Sequence, residues 1–136
     1  MARRASKQTR ADVAPPPLHE LESEVMEQVW EAGESSVRSV MEALNRRPGT
    51  DRAYTTYMTI MARLHKKGML LRRREGKTDF YAPAYERQEY MDLRAGAQVE
   101  ELVTQFGDVA LSHFAQQMAG LDPARRRSLQ RLARKS

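Results

Sequence analysis

Apolar residues in this chain recur at three- and four-residue intervals in short segments, each closed by glycine or by a proline–glycine pair. Such punctuation permits only short amphipathic helices, each of which must bury one stripe against a neighbour. The first is expected over Leu18–Ala32, with Leu18, Leu21, Val25 and Val29 on one face, widened by Met26 and Trp30. Glu20, Glu22, Glu24 and Glu27 occupy the remainder and read as a solvated face, and Gly33 suits the left-handed position that ends a helix. Ser36 is placed to cap a second helix, Val37–Asn45, that turns Val37, Val40, Met41 and Leu44 inward. The run Arg46-Arg47-Pro48-Gly49-Thr50-Asp51 is a break.

A third helix is expected from about Tyr54 to Lys67, ended by Gly68. At about 100° per residue, Tyr57, Ile60, Met61 and Leu64 share its buried face. Thr55, Thr59, Ala62 and Lys66 lie opposite, flanked by Thr56, Met58 and Arg63. A solvent face usually carries long charged side chains. Small residues and hydroxyls instead let a helix backbone approach the floor of a groove, where hydroxyls and guanidinium groups meet base edges and phosphates. Met69–Arg74 and Thr78–Pro83 follow as two short strands around Glu75-Gly76-Lys77, a hairpin with a cationic tip, although the adjacency of Phe80 and Tyr81 breaks strict alternation. Helix, helix, turn, helix and basic hairpin make a winged helix-turn-helix, mainly α with a small β-hairpin, whose third helix enters the major groove while the hairpin lies along the backbone.

The charge distribution points the same way. Net charge is +5, but residues 46–77 carry ten basic and two acidic groups between acidic blocks at 18–45 and 78–120. Concentrated cations with acidic flanks suit a polyanion, the flanks limiting indiscriminate adhesion. The DNA-contacting set expected from charge, position and face is Arg38, Arg52, Tyr54, Thr55, Thr56, Met58, Thr59, Arg63, Lys66, Arg72, Arg73, Arg74 and Lys77.

Residues 1–17, basic and closed by Pro15-Pro16-Pro17, are expected to be a disordered tail, residues 18–84 the winged-helix domain, and residues 85–136 a helical dimerisation region. In that last part, Tyr90, Leu93 and Ala97 share one face, whereas Val99, Leu102, Val103 and Phe106 share roughly the opposite one. Either the helix bends near Gly96 or its halves pack on different partners. A further helix, about Val109–Met118, presents Leu111 and Phe114, and Asp122-Pro123 opens a last one bearing Leu129 and Leu132. Three short helices without a sheet cannot hide all these faces. Either a second copy covers Val99, Leu102, Val103, Phe106, Leu111, Phe114, Leu129 and Leu132, or the helices fold back on the winged domain.

Other function classes lack their residues. With no cysteine, disulfide frameworks, thiol nucleophiles and thiolate metal sites are excluded. His19, His65 and His113 are scattered without ligand spacing, and no phosphate-binding glycine loop occurs, so neither an enzyme nor a metal or other cofactor is expected. The basic start has no apolar core of a secretory signal, and a cytoplasmic location is expected. Two alternatives to a dimeric sequence-specific repressor stay open: a protein-interaction adaptor, and a non-specific nucleoid-binding protein.

LHELESEVMEQVW at Leu18–Trp30, VRSVMEAL at Val37–Leu44, AYTTYMTIMARLHKKG at Ala53–Gly68 and the following RRREGK and YAP strings resemble the penicillinase repressor family, the BlaI/MecI-type regulators. The resemblance implies a homodimeric winged-helix repressor on a palindromic operator. In β-lactam-responsive members, it further implies a membrane sensor metalloprotease that triggers cleavage within the dimerisation helices. The matching bond here is His113–Phe114, where the family has Asn before Phe; Tyr57 likewise replaces a usually smaller aliphatic residue. The cysteine cluster of copper-responsive relatives is absent, and copper sensing by that route is excluded.

Overall fold

The structure, a computed structural model, describes residues 14–135. Helix α1 spans Glu20–Ala32 and starts two residues later than the sequence suggests, because His19 takes the N-cap and its backbone N–H donates to Glu22 Oε1 at 2.9 Å. The Gly33 N–H closes the other end on the Val29 carbonyl at 2.7 Å, with Gly33 at φ 83°, a region that glycine enters without Cβ strain. Helix α2, Val37–Asn45, is capped as expected: Ser36 accepts from the Ser39 N–H. Helix α3 spans Tyr54–Lys66.

Strands β2 (Leu70–Glu75) and β3 (Thr78–Pro83) form the expected hairpin, in register from Leu70 opposite Pro83 to Glu75 opposite Thr78. Gly76, at φ 62°, takes the first central position of its two-residue turn, as a type II′ turn requires. The sequence expectation of a two-stranded hairpin is corrected by a third strand. Ser35–Ser36 (β1) pairs antiparallel with β3, giving the order β1-β3-β2. Two serines carry no alternation to announce a strand; their pairing follows from α2 starting beside the hairpin.

The chain divides into two compact units, the first ending at Ala95 and the second beginning at Gly96. In the first, Val25, Met26 and Val29 of α1, Val40 and Leu44 of α2, and Tyr57, Met61 and Leu64 of α3 are buried with Met69, Leu70 and Tyr81 of the hairpin. Each such side chain contributes about 1.5–3 kcal/mol by leaving water. Glu22 overturns the reading of the acidic side of α1 as wholly solvated. It is 1% exposed, held by the His19 N–H and by Lys67 Nζ at 2.8–2.9 Å. Its place in the first helical turn, where N–H groups are unpaired, makes a carboxylate useful there.

Helix α4, Arg87–Phe106, is continuous through Gly96, and its two parts belong to different units. In the first unit, Tyr85 and Tyr90 join the core: Trp30 Nε1 donates to the Tyr85 carbonyl at 2.8 Å, and Trp30 lies 5.5 Å from the Tyr90 ring. The expected disordered tail is corrected at its end. Pro15 is buried, its carbonyl accepts from Arg94, and that of Pro16 accepts from the Tyr90 hydroxyl. Prolines donate no backbone hydrogen bond but leave their carbonyls available, so the segment lies as a strap across α4. Residues 1–13, the rest of that expectation, lie outside the described residues.

The second unit holds the end of α4, α5 (Asp108–Ala119) and α6 (Pro123–Arg134). Asp122 caps α6 by accepting from the Arg125 N–H, and Arg126 of α6 donates to the Met118 carbonyl near the end of α5 and to the Leu121 carbonyl in the turn that follows it.

Candidate nucleic-acid interface

Helix α3 divides as its angular arithmetic requires. Tyr57, Ile60, Met61 and Leu64 are buried, while Tyr54, Thr55, Met58, Thr59, Ala62, Arg63 and Lys66 are exposed and Thr56 is half-buried. Its exposed side is thus hydroxyl-bearing and apolar near the start and cationic near the end. The N-cap is Ala53, which has no side chain to accept from the first turn; the Thr56 N–H turns back to the Ala53 carbonyl at 3.0 Å.

The hairpin stands beside this helix. A cleft of about 550 Å³ separates them, lined by Tyr54 and Met58 of α3, Arg38 of α2, and Lys77, Asp79 and Phe80 of the hairpin. The adjacency of Phe80 and Tyr81 is resolved by the pleat. Tyr81 enters the core, and Phe80 on the other face lies under the Arg73 guanidinium, 5.0 Å from its ring centre.

The cations expected to meet phosphate fall into two groups. Arg38, Arg63, Lys66, Arg72 and Lys77 are exposed, and none of them forms an ion pair among the described residues. Arg73 is held by Glu34 at 2.8 Å and Glu75 at 3.1 Å, and Arg74 lies 3.8 Å from Asp79. Glu34 and then Glu75 raise the pKa of Arg73, which in turn lowers that of Glu34. Arg52, expected among the DNA contacts, is half-buried and has partners within the protein. Its guanidinium turns inward to Glu24 of α1 at 3.3–3.5 Å and to the Tyr57 hydroxyl at 3.3 Å. The acidic side of α1 lies within reach there, and the half-buried Glu24 carboxylate pairs with Arg52 and, at 3.7 Å, with Arg47.

Glu24, read from the sequence as part of a solvated face, and Asn45 and Glu34, not singled out there, place these groups. Asn45 Nδ2 donates to the Arg52 carbonyl at 2.9 Å, and Asn45 Oδ1 accepts from the Arg52 N–H and from the Tyr57 hydroxyl. An asparagine ending a helix beside a turn is the available signal. His65 is satisfied by donating from Nδ1 to the Leu70 carbonyl at 3.0 Å. No group of three or more metal-ligating side chains occurs among the described residues, nor does a helix long and apolar enough to cross a membrane.

In the second unit Ala110 is the only buried side chain among the described residues. Val99, Phe106, Leu111, Leu129 and Leu132 are exposed, and Leu102, Val103 and Phe114 half-buried. Leu102, Phe106, Val109, Ala110, His113 and Phe114 line an apolar cleft of about 350 Å³. The His113–Phe114 bond lies within α5, with His113 exposed.

The penicillinase repressor family model matches residues 18–135. Transcriptional regulator BlaI of Mycobacterium tuberculosis, in strains CDC 1551 / Oshkosh and ATCC 25618 / H37Rv, is 39% identical over 112 residues, which is 79% of this chain and 77% of that protein. Among solved structures, the solution structure of the DNA binding domain of the repressor BlaI is 28% identical, with a TM-score of 0.49 over 56% of this chain and 90% of that one. The monomeric form of Bacillus licheniformis BlaI in complex with the blaP half-operator gives 28% identity and a TM-score of 0.47, with the same coverage.

Proposed function

The chain belongs to the penicillinase repressor family, and from that premise we propose that it is a homodimeric repressor whose third helices read a palindromic operator. The observation that carries this reading is the exposed face of α3, hydroxyl-bearing at Thr55 and Thr59 and cationic at Arg63 and Lys66, beside a hairpin bearing the exposed Arg72 and Lys77. Thr55, Thr59, Tyr54 and Met58 meet base edges, with Thr56 at the margin, while Arg38, Arg63, Lys66, Arg72 and Lys77 neutralise phosphates. Arg73 and Arg74 hold the hairpin in shape, and Arg52 works from inside.

A second copy supplies what the second unit lacks. With Ala110 alone buried there among the described residues, Val99, Phe106, Leu111, Leu129 and Leu132 remain exposed unless another surface covers them, and full burial is worth about 1.5–3 kcal/mol for a large apolar side chain. A two-fold pair presents both α3 helices to one side of a duplex and requires a palindrome. Scission at His113–Phe114 by a metalloprotease acting downstream of a membrane sensor would cut this cover and release the operator. Because the bond sits inside α5, cleavage requires that helix to open first.

Selection of bound duplexes from genomic fragments, followed by fluorescence anisotropy, tests the reading. A palindrome should emerge, bound at about 10 nM or tighter, with affinity falling steeply as salt rises. Thr55→Ala and Thr59→Ala should erode discrimination between this duplex and a scrambled one. Equal affinity for the two duplexes in the parent chain refutes sequence-specific repression.

A further inference from the structure

An α-helix whose N-cap is alanine lacks the side-chain acceptor that ordinarily fixes its first turn. Helix α3 is such a helix, and its first turn carries Tyr54 and Thr55. A set of side chains from outside the helix takes over the missing role. Asn45, the last residue of α2, grips the backbone of Arg52 on both sides: its Nδ2 donates to the Arg52 carbonyl at 2.9 Å, and its Oδ1 accepts the Arg52 N–H at 3.2 Å. The same Oδ1 accepts the Tyr57 hydroxyl at 2.7 Å. Arg52 Nη1 donates to that hydroxyl at 3.3 Å while the guanidinium rests on Glu24.

One oxygen therefore ties the chain two residues before α3 begins to a side chain in its first turn. Tyr57 is 0% exposed, so water cannot stand in for its partners, and its hydroxyl is engaged both as donor and as acceptor. The start of the helix is fixed relative to α1 and α2 by this latch. Arg63 and Lys66 lie beyond it along the helix, and Arg72 and Lys77 lie on the hairpin.

We propose that Tyr57, with Asn45 and Arg52, is a positioning group that sets operator discrimination by fixing the first turn of α3, leaving general phosphate affinity to the exposed cations. This rests on the DNA-binding reading above. Its mark is a selective loss, because a first turn free to unwind misplaces Thr55 and Met58 without moving Arg72 or Lys77.

The experiment uses the full chain and Tyr57→Phe, which keeps the ring and removes the hydroxyl. Asn45→Asp serves as a second variant that keeps the acceptor but loses the donation to the Arg52 carbonyl. The probes are the selected palindrome and a scrambled duplex, read by anisotropy across a salt series, with amide hydrogen exchange measured without DNA. The affinity ratio between the two duplexes should fall about three- to tenfold in each variant. Scrambled-duplex affinity and salt slope should stay unchanged, and the Thr56 and Met58 amides should exchange faster. An unchanged ratio, or equal losses on both duplexes, overturns the proposal. If the parent chain fails to distinguish the duplexes, the sequence-specific reading falls; the exchange arm then still decides the latch, and unaltered Thr56 and Met58 rates remove it.

Discussion

Lys67 closes the C-terminal end of α3, and replacing it with methionine leaves the Glu22 carboxylate buried against α1 without its cation. Breaking a buried pair by deleting one partner costs about 3–5 kcal/mol. Here the Lys67 side chain is 27% exposed, so water weakens the pair, and Glu22 keeps the His19 N–H. The expected cost is therefore at the lower end, about 3 kcal/mol. Glu22→Gln should cost only about 1 kcal/mol, because the amide still accepts from His19 and the ammonium turns to water. The double variant should lie within about 1 kcal/mol of Glu22→Gln, giving a coupling of at least about 2 kcal/mol from urea unfolding of all four chains.

Burial pushes the Glu22 pKa up, but the His19 N–H and Lys67 together bring it below its ordinary value. A carboxyl depressed on folding stabilises above its unfolded pKa, about 4.3, and that contribution disappears as pH falls through the folded value. The parent chain should lose this contribution below about pH 4.3, and Glu22→Gln should not. The cost of Lys67→Met should shrink over the same range, as protonation removes the stranded charge. A Lys67→Met cost below about 1 kcal/mol, simply additive with Glu22→Gln, would refute the assignment of a coupled buried pair.

Arg72→Ala should weaken binding to every duplex and lower the salt slope by about 1, whereas Arg73→Ala should leave the slope unchanged because Glu34 and Glu75 already neutralise that guanidinium; salt-series anisotropy separates the two. Ser36→Ala removes the α2 cap and should cost about 1 kcal/mol in urea unfolding. Gly76→Val forces a β-branched residue to positive φ at the hairpin turn and should cost at least about 1 kcal/mol by the same measurement. Phe106→Glu should shift the chain toward monomer in sedimentation velocity and loosen operator binding with it, while the circular dichroism of the first unit persists.

The helices of the first unit were legible because one stripe per helix is buried. Val25, Met26 and Val29, or Tyr57, Ile60, Met61 and Leu64, lie at spacings that only an α-helix brings together. The hairpin was legible from Gly76. What escaped the sequence was pairing between distant residues: Ser35–Ser36 with β3, Glu22 with Lys67, Arg52 with Glu24, and Arg73 with Glu34. Composition counts a charge without saying whether an opposite one waits across the fold. The buried and exposed faces of α3 were therefore legible, whereas the carboxylate partners of Arg52, Arg73 and Arg74 were not. The burial of Pro15 was likewise invisible, since a proline run beside a basic segment has the composition of a linker.

In the sheet order β1-β3-β2, the central strand is paired on both sides, β1 is only two residues long, and among the described residues β2 has an open edge. Exposed strand edges recruit other chains into growing sheets, and bulky like charges are one defence against that. Arg72 and Arg74 along β2 place like charges on that strand, a pattern that disfavours edge-to-edge stacking. Stripping both at once would make insolubility as prominent an outcome as lost affinity, and glutamate or lysine at these positions is the substitution that keeps the two effects apart.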